Sequence, residues 1–178
     1  MEAKEEAGMR ETRVQGCAPI DAAIRRVGYA GGAVLSLLVL LVVYDATARY
    51  LFSAGSVGLQ ELEWHLFDVI ILLGIAYTLR ENAHVRVDIF YDRFRPKTRA
   101  WVDLAGTLLF ILPFCVLIVY VGTEFVAISF QQMERSSDPG GLPYRYLVKS
   151  LMPLAFVLLA LQALSEIVRA YRTVRGVS

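Results

Sequence analysis

Apolar residues along this chain gather into four long runs, at 27–44, 59–79, 104–123 and 150–165, with polar stretches between them. Each run approaches the roughly 20 residues that an α-helix needs to cross ~30 Å of hydrocarbon. The runs are blocks, not the one-sided stripe of a surface helix. They predict an all-α integral membrane protein with four transmembrane helices. Arg25 and Arg26 precede the first run as they would precede a signal-peptide core, but its length suits a spanning helix better. Pro113, near the middle of the third run, should kink that helix, and Pro153 is well placed in the first turn of the fourth.

The polar stretches carry their own signals. Residues 1–24 lack apolar periodicity and read as a disordered tail, 25–172 as the membrane domain and 173–178 as a second tail. Between the second and third runs, Val87, Phe90, Tyr91 and Phe94 repeat at i, i+3, i+4 and i+7. That spacing predicts an amphipathic helix lying at the membrane interface, although Val85, Val87 and Ile89 also alternate as in a short strand. Pro96 ends the element, and Trp101 stands where an interfacial anchor is expected. Asp138, Pro139, Gly140 and Gly141 predict a turn.

Composition agrees with this picture: 178 residues, 56% of them hydrophobic, with a mean hydropathy of +0.50. The net charge of +1 gives no bulk attraction to nucleic acid. Its distribution is informative. Arg80, Arg86, Arg93, Arg95, Lys97 and Arg99 crowd the connector between the second and third runs. With the two tails, that connector holds fourteen of the 18 basic residues, against four in the other two loops. By the positive-inside rule both termini face the cytoplasm. Cys17 and Cys115, one in a tail and one in an apolar run, are not expected to pair, and Cys115 reads as a small packing residue.

Candidate chemistry is sparse. His65 and His84 are 19 residues apart, nearly 30 Å along a helix at ~1.5 Å per residue, so they cannot share a haem within one chain. No metal-ligand spacing, nucleophile–base arrangement or phosphate loop stands out, so neither a metal, a cofactor nor catalysis is expected. Polar residues inside the second run remain. Glu61, His65 and Asp68 share one helical face with Glu63 nearby. Glu61 and Glu63 fit a hydrated helix end, whereas Asp68, two turns in, is expected to contact protein because a lipid-facing carboxylate is costly. Gly28, Gly32 and Ser36, spaced by four, form a small-residue stripe that lets another helix approach closely. Arg80, His84, Arg86 and Asp88 suit either a salt-bridged knot or a solvated loop.

Several of these features converge. Residues 73–94, LGIAYTLRENAHVRVDIFYDRF, resemble the small permease subunit of tripartite ATP-independent periplasmic (TRAP) transporters. The matching positions are Gly74, Ala76, Arg80, His84, Val85, Val87 and Asp88, and the resemblance extends to Glu61, Glu63, Asp103 and the late GGLPYRYLVKSLMPLAF stretch. It implies a four-helix subunit of the bacterial inner membrane, partnered by a large polytopic permease subunit and a periplasmic solute-binding protein. The implied role is to scaffold the large subunit in ion-gradient-driven uptake, commonly of carboxylates, and to help dock the binding protein. The alternative is a membrane anchor subunit of a respiratory redox enzyme. Expected partner-contacting residues are Gly28, Gly32, Glu61, Glu63, Asp68, Arg80, His84 and Asp88.

Overall fold

The computed structural model describes residues 17–81, 94 and 96–175. The regular elements among them are helical: α1 (Ala18–Phe52), α2 (Val57–Arg80), α3 (Pro96–Gly106), a π-helical stretch (Thr107–Ile111), α4 (Leu112–Gln131), α5 (Arg145–Lys149) and α6 (Leu151–Arg175). α3, the π stretch and α4 form one rod, and α5 leads into α6. The described residues thus contain four rods long and apolar enough to span a membrane. The expected interfacial helix, with Val87, Phe90 and Tyr91, lies outside the described residues; Phe94 and Trp101 are exposed.

α1 outruns its apolar core at both ends. Pro19 occupies its first turn, where a missing amide hydrogen costs nothing, and the Asp21 amide closes on the Cys17 carbonyl at 3.0 Å. Toward the other end the chain meets no glycine or proline before Gly55, and an Asp45–Arg49 ion pair supports the added turns. Ser53, in left-handed backbone (φ 53°), ends the helix. Ser56 caps α2 by accepting from the Leu59 amide.

The effect of Pro113 appears one turn before it. Proline cannot donate to the carbonyl four residues back. The preceding turn widens so that Leu112 donates to Thr107, five residues away, and the helix continues past the defect. Pro153 sits in the first turn of α6, close to the break at Ser150 that separates α5 from α6.

α1 packs on α2, α2 on α6, and α6 on both α4 and α3, so α2 and α6 are the central rods. A short turn joins α1 to α2, and Gly28 meets Tyr77 far from that turn, which makes the two helices antiparallel along their length. Along α1, Ile24, Val27, Gly31, Val34, Leu38, Leu41, Asp45 and Ala48 are all buried or half-buried. Alternating steps of three and four are the heptad spacing of a coiled-coil seam. Across the middle, Leu79, Cys115, Leu159 and Ala163 form the core, with Ile75, Ile111 and Phe156 around them. Cys115 is fully buried there as a packing residue, and both cysteines are free.

Candidate partner-binding site

At the end that carries the 132–144 loop, hereafter the loop end, charged side chains fold the loop onto α2. Asp138, Pro139, Gly140 and Gly141 make the turn the sequence predicts, with Gly141 N donating to Asp138 O at 3.0 Å. Gly140 has φ 83°, the value that the third position of a proline-led type II turn requires and glycine meets without strain. The turn delivers the loop to Glu61. One Glu61 oxygen accepts from the Ser136 hydroxyl and from Arg145 Nη2 at 3.0 Å, and the other accepts from the Leu142 amide at 2.5 Å. Gly141 lies so close that an added Cβ would strike Ser136 and come within 2.8 Å of Glu61 Oε2.

A second carboxylate secures the far side of the loop. Glu134 accepts from Lys149 and, at 2.6 Å, from the Ser129 hydroxyl, while its carbonyl accepts from the Arg145 amide at 3.1 Å. The Lys149 contact, followed by that of Ser129, holds the Glu134 carboxyl below its ordinary value of 4.5. Lys149 also sits 4.1 Å above the Phe125 ring. Two carboxylates, Glu61 of α2 and Glu134 of the loop, thus converge on the two basic residues of α5, leaving Met133 and Tyr144 exposed on the loop surface.

At the opposite end, hereafter the connector end, a polar cluster ties α1 to α6. Asp21 Oδ1 accepts from Ser165 Oγ at 2.8 Å and from Gln162 Nε2 at 3.2 Å, and the Cys17 amide donates to Ser165 Oγ at 2.8 Å. Gln162 and Ser165 are essentially inaccessible. Glu166 takes a further hydrogen bond from Gln162 and an ion pair from Arg169.

The sequence-predicted residues divide accordingly. Glu61 is not a hydrated helix end: it is 9% exposed because the loop closes over it. Glu63 is half-buried with one oxygen lacking a partner, and Asp68 and His65 are half-buried without a role in either cluster. Gly28 is used inside the fold, since an added Cβ would run into the Tyr77 ring; Gly32 has open space above it. Arg80 pairs with Glu81 at the connector end. His84 and Asp88 lie outside the described residues. Ser136, Glu134, Arg145 and Lys149 at one end, and Asp21, Gln162 and Ser165 at the other, were missed. Gln162 and Ser165 did leave a trace, as polar side chains in an otherwise apolar run.

Elsewhere the surface is apolar. No residue in the most apolar 18-residue window of α1 is buried. A shallow groove runs along α4 and the π stretch beside Pro113, lined by Leu108, Leu112, Val116, Leu117 and Tyr120. The polar clusters fix the shape, and what they leave is helix surface for lipid or a protein partner.

Comparison with curated proteins found no match. Residues 38–173 match the family described as tripartite ATP-independent periplasmic transporters, DctQ component, a span that takes in part of α1, all of α2 to α5 and most of α6, including the Glu61 clasp. The chain therefore belongs to the DctQ family, the small membrane component of TRAP transporters.

Proposed function

We propose that the chain is the small membrane subunit of an ion-gradient-driven uptake system for carboxylate solutes, seated in the bacterial inner membrane with both termini cytoplasmic. It scaffolds the large permease subunit and helps to dock the periplasmic binding protein. The family match carries the reading, and two features support it. The rods are long and apolar but bury little of α1, leaving helix faces for a membrane partner. The Gly32–Ser36 face of α1, open in the isolated chain, suits a helix of the large subunit. The loop end lies opposite the basic connector, so by the positive-inside rule it faces the periplasm. There the clasped 132–144 loop offers a preformed surface to the binding protein.

Uptake by the large subunit and its binding protein, reconstituted in liposomes under an ion gradient, tests this. Uptake is expected only when this chain is present, with solute preference unchanged by Gly32→Leu or Asp68→Leu. Full uptake without the chain would overturn the scaffold role.

A further inference from the structure

Charge at the connector end is sorted by exposure. Among the described residues there, Arg25, Arg26, Lys97, Arg172 and Arg175 are exposed, Arg80, Arg99 and Arg169 are half-buried, and the acids Asp21, Glu81, Asp103 and Glu166 are all half-buried. Asp21 is engaged by Ser165 and Gln162, Glu81 by Arg80, and Glu166 by Arg169. The exposed charge among the described residues of this end is therefore positive.

Three of these cations lie at the connector-end edge of the packed α3–α6 pair. The third and fourth rods are antiparallel: Gly122 lies against Met152 and Pro153 toward the loop end, and Cys115 joins Leu159 and Ala163 deeper in. That register brings Lys97, at the start of α3, to the same end of the pair as Arg172 and Arg175, at the end of α6. Two exposed aromatic residues lie on the same two helix ends. Trp101 is 58% exposed and Tyr171 47%, and the Arg175 guanidinium lies 4.6 Å above the Tyr171 ring. Exposed indole and phenol rings beside a cationic rim, at the end of membrane-length helices, match the level where headgroups meet acyl chains.

We propose that this α3–α6 edge binds the headgroup of an anionic phospholipid. Lys97 and Arg175 take its phosphate, Arg172 adds to the positive field beside them, and Trp101 and Tyr171 lie against the start of its acyl chains. The inference needs the chain to span a membrane and is independent of its role in transport. It goes beyond the general orienting effect of basic residues, because it names one edge and one class of lipid.

Native mass spectrometry of the full chain, purified in mild detergent and offered phosphatidylglycerol or phosphatidylcholine, tests it. Phosphatidylglycerol is expected to be retained roughly tenfold better, since each basic residue near an anionic headgroup adds about a severalfold preference. The K97Q/R175Q double variant is expected to lower phosphatidylglycerol retention to the phosphatidylcholine level with helical content unchanged by circular dichroism. The R25Q/R26Q variant, altered on α1, is expected to keep most of it. Equal retention of both lipids by the native chain would overturn the proposal whatever the variants do. Loss of phosphatidylglycerol in R25Q/R26Q but not in K97Q/R175Q would overturn it too.

Discussion

Glu61 and Asp68 share a helical face in sequence, and the structure gives them different work. Glu61 is the anchor of the loop-end clasp, while Asp68 stays half-buried outside it. Nothing in local spacing separates the two, because Glu61's partners lie 75, 81 and 84 residues away along the chain. The turn that brings them back was legible, since Asp-Pro-Gly-Gly has few conformations open to it. Glu61→Ala should leave the Leu142 amide without its acceptor and Arg145 with only the longer contact to Ser136, and amide exchange in 132–144 should rise while that in α4 and α6 stays protected. Gly141→Ala should have the same local effect by sterics alone. Unchanged exchange in both variants would mean that the loop holds itself. The second anchor sets the pH dependence. With its carboxyl lowered in the fold, Glu134 contributes fully above 4.5, and that contribution is lost only as pH falls through the depressed value. Exchange in the loop, corrected for intrinsic rates, should therefore hold steady from neutral pH down to 4.5 and rise only below it. Loosening that begins well above 4.5 would contradict this.

The helices themselves could be counted from the sequence but not oriented. A run that is apolar all round does not reveal which stripe packs, so the heptad seam on α1 was hidden among exposed leucines and valines such as Leu35, Leu37, Val39 and Leu40. Small residues gave half of the answer. The Gly28–Gly32–Ser36 stripe was visible, but the structure divides it, Gly28 going to Tyr77 within the chain and Gly32 remaining open. Helix ends were read short because charges such as Asp45 and Arg49 looked like loop, whereas as an i, i+4 pair they extend α1. Gly28→Leu should overpack the α1–α2 seam and lower stability by roughly 1–3 kcal/mol, measured by thermal unfolding in detergent; Gly32→Leu should leave the isolated chain unaffected. Ser165→Ala should cost about 1–3 kcal/mol by stranding the buried contacts to Asp21 and the Cys17 amide. Equal effects of the two glycine variants would contradict the division of the stripe.

On the scale of the whole molecule, the four rods are held by a clasp at one end, a polar tie at the other and a small-residue core between them. That arrangement spends Glu61, Glu134 and Asp21 inside the fold and leaves long apolar faces outward, which suits a subunit of a larger membrane assembly. The family was legible because its motif and loop sequences are local, while the partner-facing surfaces were not, since they depend on which faces the fold consumes. The most direct test is to isolate the tagged chain from native membranes in mild detergent and measure what accompanies it. A large polytopic permease in roughly equal amount is the expected result. A chain recovered alone, or with a soluble redox subunit carrying a coloured cofactor, would contradict the account.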